Sequence, residues 1–287
     1  MSARPSSLPG SARRLRRQLR QQFLEAGVDA SRPGFYDQPA FRHRVRQDPT
    51  LWQAYARYVF ALEPSAAYLQ RARLAIHRTA AFIHAELVAD GRPGRCLEAA
   101  TLLSRLLERQ GIWNVVVAGA YQAGLPSGHR LNFGPLSTNE RVGFTAHTWV
   151  YAPPFAVVDV SLQQQPLPGW ALRQLPPVLL QEEGEPGVLQ GPEFFSATGQ
   201  RLFEQRHGRP PTVEDVVTLA PEIGVALDLF PPLTFQHEQV EFLYIPLTPR
   251  VLDGAFDETT TFRLNGKAPV TLQRQFLAQS GQSVAHS

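Results

Sequence analysis

Residues 95–111 read RCLEAATLLSRLLERQG, and their apolar positions follow a helical period. Cys96, Ala99, Ala100, Leu103, Leu106 and Leu107 fall at i, i+3, i+4, i+7, i+10 and i+11. That spacing predicts a helix with one inward face, starting near Arg95 and ending at Gly111. The preceding Asp90-Gly91-Arg92-Pro93-Gly94 stops an earlier helix and gives close access to the start of this one. The only cysteine of the chain therefore falls in a first helical turn. There the helix dipole favours thiolate over thiol, and free backbone N–H groups can cradle an oxyanion.

After Gly111 the period changes from helix to strand. Residues 112–121 are one candidate strand, and residues 145–151 and 155–160 are two more around Ala152-Pro153-Pro154. A hairpin centred on Pro153 sets Trp149 opposite Val157, Tyr151 opposite Phe155 and His147 opposite Asp159. Directly opposed side chains have Cβ atoms about 4.5–5.5 Å apart, within reach of an imidazole–carboxylate hydrogen bond. A slip of one residue would put the two on opposite faces, so the pairing depends on the turn. Asp159 lies in Val-Val-Asp-Val, where an unpaired carboxylate is costly, and His147 supplies the partner it needs. A Cys96 thiolate beside His147 would be an activated nucleophile, with Asp159 orienting the ring, although spacing alone does not bring the helix end to the hairpin. Trp149 shares the face of His147 and is a candidate wall of the substrate site, or plain core. Tyr121 is expected to pack at the end of its strand. Residues 122–143 read as a long surface loop and candidate lid, with His129 in it expected to be solvated.

Upstream, residues 48–89 read as two helices separated by Glu63-Pro64. His77 and His84 share a side of the second but have no matching acid or thiol, so they are read as packing or surface groups. Residues 11–26 read as a basic amphipathic helix through Leu15, Leu19 and Phe23, ending at Gly27. Downstream, the chain is Pro-rich to about residue 192, with short helices expected near 193–206 and 212–219, the latter capped by Thr212. Glu241–Pro246 and the hairpin signal Asn265-Gly266 suggest a small β-rich appendage. The expected organisation is an N-terminal basic helical region (1–65), a catalytic core (66–165), a C-terminal extension of short helices and strands (166–277) and a disordered tail (278–287). The fold class expected is α+β, a nucleophile helix packed on an antiparallel sheet.

Composition narrows the chemistry. The chain has 287 residues, 43% of them hydrophobic, enough for a packed core. One cysteine excludes an internal disulfide and any zinc site built on several thiolates. Lys267 is the only lysine and is followed by Ala268, so no phosphate-binding loop is present; GxGxxG, HExxH and GxSxG are also missing. No cofactor and no metal are expected. No apolar run approaches the roughly 18–20 residues of a membrane span, so integral membrane association is not expected. Six arginines fall within the first 24 residues without the apolar core of a signal peptide, and a cytoplasmic location is expected. The net charge of +3 is too mild to mark a nucleic-acid partner. Nothing in the sequence bears on oligomeric state.

These residues also carry a resemblance. Arg95-Cys96-Leu97-Glu98-Ala99-Ala100-Thr101-Leu102-Leu103, followed by Leu106-Leu107 and Gly111-Ile112, looks like the nucleophile helix of the transglutaminase-like superfamily. Val117-Ala118-Gly119-Ala120-Tyr121 is similar to the strand that follows it there, His147-Thr148-Trp149 to its His-x-Trp strand, and Val157-Val158-Asp159 to its Asp hairpin. The match covers roughly residues 70–162, and Asp159-Val160-Ser161 departs from the family's common Asp-Pro-Thr. The resemblance implies a papain/transglutaminase-like core with a Cys96–His147–Asp159 triad, and a bacterial-type cysteine protease or amidase. It would act on a peptide or protein substrate through an acyl-thioester, with hydrolysis ahead of transfer. The Cys-Leu start also resembles the leader peptidases of lasso-peptide maturation. The Cys-x-Glu fragment is faintly similar to arylamine N-acetyltransferases, although Arg92-Pro93-Gly94-Arg95 stands in place of their Arg-Gly-Gly-aromatic approach. A catalytically silent binding module on the same fold is the alternative from another class. No side chain is evident in the sequence to complete an oxyanion site.

Overall fold

The computed structural model describes residues 11–133, 147–250 and 263–279. Five helices precede the first strand: α1 (Ser11–Glu25), α2 (Pro39–Gln47), α3 (Leu51–Phe60), α4 (Ala66–Asp90) and α5 (Cys96–Arg109). Strands β1 (Val115–Gly124), β2 (Arg130–Phe133), β3 (His147–Ala152) and β4 (Phe155–Asp159) follow. Then come α6 (Gly169–Leu172), β5 (Leu179–Gln181), β6 (Glu185–Pro186), α7 (Ala197–His207), α8 (Val213–Leu219) and α9 (Pro221–Leu229). The chain returns to the sheet as β7 (Leu233–His237) and β8 (Val240–Pro249), and α10 (Pro269–Gln279) closes the described part. The class is α+β, with helices against one antiparallel sheet.

The sheet has eight strands in the order β5-β4-β3-β1-β8-β7-β6, with β2 pairing β1 off this path. Alternation along β1 divides its two faces. Val115, Val117 and Tyr121 pack with Trp149, Val157 and Tyr244 beneath α1–α3, where Phe23, Phe35, Phe41 and Tyr55 form an aromatic core. On the opposite face Val116, Val150 and Val158 meet the inner sides of α4, α5 and α10. Ala120 on that face belongs with Leu243 and Ile245 of β8, covered by Phe194, Phe203, Val216 and Ile223.

Several sequence expectations change in detail. Residues 240–249, read as part of a β-rich appendage, are instead an interior strand, paired with β1 from Gly124↔Glu241 through Ala118↔Thr248 and Val117↔Pro249. The expected loop 122–143 contains the end of β1 and all of β2, paired from Tyr121↔Phe133 to Gly124↔Arg130; residues 134–143 lie outside the described ones. β1 begins at Val115 rather than Ile112, because the Asn114 amide turns inward and donates to the carbonyls of Ser104 and Ile112. Helix α2 was not expected; its apolar positions, Phe41 and Val45, are too few to show a period. Thr212 caps α8 in a reciprocal box with Asp215. Asn265 and Gly266 take positive φ of 51° and 69° between the paired Leu264 and Lys267, the tight turn that Asn-Gly favours. The expected tail 278–287 coincides with α10 up to Gln279; the rest lies outside the described residues.

Candidate active site

The three residues singled out by the sequence come together. Cys96 is the first residue of α5, His147 the first of β3 and Asp159 the last of β4. The hairpin does not have the symmetrical register. Ala152 pairs with Phe155 across the Pro153–Pro154 turn, and a bulge then brings Val150 opposite Val158. That register is two residues away from the expected one, so His147 and Asp159 are diagonal neighbours rather than directly opposed. A shift of two keeps the face, whereas a shift of one would have separated them. His147 Nε2 lies 2.5 Å from Asp159 Oδ2, and both side chains are fully buried.

The carboxylate is held from every side. Tyr244 Oη donates to Oδ2 at 2.8 Å, and the Ser161 amide and hydroxyl donate to Oδ1 at 2.9 and 3.0 Å. Gln165 Nε2 in turn donates to the Ser161 carbonyl at 2.8 Å. The same turn anchors the nucleophile loop: the Gly94 amide donates to the Gln164 carbonyl at 2.8 Å, and His84 Nδ1 meets the Val160 carbonyl at 3.0 Å. The residues following Asp159 therefore fix both the acid and the approach to Cys96.

Electrostatics links the three groups. Burial pushes the Cys96 thiol up, but His147 beside it, aided by Thr148, outweighs burial and leaves the thiol below its ordinary value. Burial would lower His147, yet Asp159 and then Cys96 raise it to about 10. Burial likewise opposes ionisation of Asp159, and His147, Ser161 and Tyr244 together hold it below the usual carboxylate range. The interactions among the three groups act in the direction of a thiolate beside an imidazolium that the carboxylate orients. His147 Nδ1 makes no complete hydrogen bond with a described residue, and it is the ring nitrogen left for the thiol once Nε2 serves Asp159.

Trp149, expected as a site wall or as plain core, is 2% exposed and stacks on the His147 ring at 6.1 Å and 24°. It supports the ring, with its other side against Tyr244 at 4.9 Å. Gly119 makes this packing feasible: a Cβ there would lie 2.0 Å from the Ile245 carbonyl oxygen and 2.9 Å from Trp149. Gly119 is also the residue paired with His147, at a register shift between β1 and β8. His77 is exposed against Phe155, and His129 is exposed against Trp170; neither approaches the three.

Sequence reasoning missed Tyr244, Ser161 and Gln165 as site residues. Ser161 had a local signal, because Asp-x-Ser places an amide and hydroxyl within reach of the preceding carboxylate. Tyr244 had none, lying 85 residues beyond Asp159. Among the described residues no group of three His, Cys, Asp or Glu could hold a metal ion. No described helix is long and apolar enough to cross a membrane. No family model, curated protein or solved structure matches the chain.

Proposed function

We propose that this chain is a cysteine hydrolase or acyl transferase with a papain/transglutaminase-like core, acting on a peptide or amide carbonyl. The observation that carries the reading is the buried His147–Asp159 pair beside a thiol in the first turn of a helix. The resemblance of residues 70–162 to the transglutaminase-like superfamily supports it. The Cys96 thiolate adds to the carbonyl carbon, and the π electrons move to oxygen. Collapse of that intermediate expels the amine, which takes its proton from His147, and leaves an acyl-thioester on Cys96. Water or a second amine then attacks the thioester, giving its proton back to His147 as the thiolate departs. Asp159 stays ionised throughout and holds the ring.

One observation favours a silent binding module instead: Cys96 is only 8% exposed. A single experiment separates the two. The rate of iodoacetamide alkylation, followed by intact mass from pH 4 to 10, needs no site mapping because Cys96 is the only cysteine. An activated thiolate titrates below the free value of about 8.5 and moves upward in His147→Ala. A midpoint at or above the free value, or reaction only on unfolding, makes Cys96 a core residue and overturns the enzyme reading.

A further inference from the structure

We propose that Tyr121 supplies the side-chain donor of the oxyanion site, its hydroxyl meeting the substrate oxygen beside the backbone N–H groups at the start of α5. The inference rests on the cysteine acyl-transfer reading above and names a group that reading leaves open.

The ring of Tyr121 is locked. Tyr121 lies on β1 two residues beyond Gly119, hence on the same face as Gly119 and its partner His147. It is paired with Phe133 on one edge and Tyr244 on the other. Phe133 stacks on it at 5.7 Å and 11°, Tyr244 at 5.8 Å and 21°, and the His147 ring meets it at 4.8 Å and 62°. The residue is 1% exposed, so the direction of its hydroxyl is set by packing.

That hydroxyl has no hydrogen-bond partner among the described residues. A buried donor left in this state loses its hydration with nothing to replace it, so it calls for an acceptor that arrives later. Asp159 is not that acceptor, because its oxygens already receive His147, Tyr244 and Ser161. Burial, with the charges of Asp159 and Cys96, keeps the phenol protonated, so it can only donate toward an anion. The anion that forms in this part of the site during acyl transfer is the oxygen of the tetrahedral intermediate. A donor fixed before the reaction stabilises such a charge without reorganising.

Two reagents test this on Tyr121→Phe. Iodoacetamide alkylates the thiolate by displacing iodide from a saturated carbon and generates no oxyanion. p-Nitrophenyl acetate is attacked at its carbonyl, passes through an oxyanion, releases p-nitrophenolate and leaves acetyl on Cys96. The expected result is an unchanged iodoacetamide rate and pH midpoint, with acetylation slower by roughly 10²–10³-fold. Thermal unfolding should match or exceed the wild type, because the lost hydroxyl has no described partner. Equal slowing of both reagents would make Tyr121 a residue acting on the thiolate, and equal retention would make it packing alone; either overturns the assignment. A wild-type thiol with an unshifted midpoint that is not acetylated overturns the acyl-transfer reading itself, and this assignment falls with it.

Discussion

The Asp159 carboxylate accepts four hydrogen bonds, and only one of its three partner residues, His147, was evident as a partner from the sequence. Tyr244 is the most distant, and its hydroxyl acts on the chemistry through Asp159 and His147, as a positioning group. Tyr244→Phe keeps the ring that packs on Trp149 and removes a charge-assisted bond worth about 1.5–3 kcal/mol. The expected outcome is an iodoacetamide midpoint that rises, but by less than in His147→Ala, a change that a purely structural loss would not produce. Titration of the pair also makes stability depend on pH. His147 is raised, so its contribution is complete below the unfolded value of about 6.5 and is lost as pH rises through about 10. Asp159 is lowered, so its contribution is complete above about 3.9 and is lost as pH falls through its lower folded value. In a Cys96→Ala background, where no thiol titrates, the urea midpoint should exceed that of Cys96→Ala/His147→Gln most between about pH 4 and 6.5. The excess should shrink as pH climbs toward 10; an excess that grows there would contradict the raised imidazole.

At the scale of elements, α5 was legible on one face and not on the other. The 3.6-residue period exposed the side that packs on the sheet, where Ala99, Leu103 and Leu106 are buried. The period did not reveal that Leu102, Ser104 and Arg105 are buried as well. The short turn between α1 and α2 covers Arg105 and Glu108, through Arg105 Nη1 to Asp37 at 2.7 Å and Tyr36 Oη to Glu108 at 2.6 Å. Tyr36 and Asp37 lie in a stretch with no periodicity, so a polar contact across 72 residues left no pattern to read. The hairpin shows a related limit: face parity could be read from the sequence, but the bulge that sets the register could not. Burial raises Glu108 despite the opposing charge of Arg105. A carboxyl raised on folding penalises the native state in full above its folded value, and the penalty fades as pH falls through that value to the unfolded one of about 4.3. Glu108→Gln, which can still accept from Tyr36, should therefore match or exceed wild-type stability at pH 8 and lose that advantage by pH 4. Glu108→Ala should instead cost about 1–3 kcal/mol, because it strands the Tyr36 hydroxyl. Urea unfolding at the two pH values checks both.

Over the whole molecule, the sheet spans the divisions suggested by composition. Its strand order places β8, from the last fifth of the chain, between β1 and β7, and its Tyr244 reaches Asp159. Local signals favoured residues 66–165 as a self-contained core, since the helices, the hairpin and all three candidate residues fall within them. Pairing between β1 and β8 is nonlocal and carries no local signature, which is why the sequence could not announce it. A fragment of residues 66–165 would expose the β1 edge along the stretch that β8 covers and would leave Phe242 and Tyr244 out of the core. It would also lack α1–α3, which cover the face bearing Trp149 and Tyr121. An uncovered, apolar strand edge is a template for aggregation. The fragment is therefore expected to lack the near-ultraviolet dichroism of packed aromatics and to associate on purification. Its thiol should titrate near the free value of about 8.5, because no Tyr244 braces Asp159 and His147. Residues 11–279 should retain the packed spectrum and the lowered thiol midpoint. A monomeric fragment 66–165 with a lowered midpoint would show that the site is built without β8, and the role given to Tyr244 would fall.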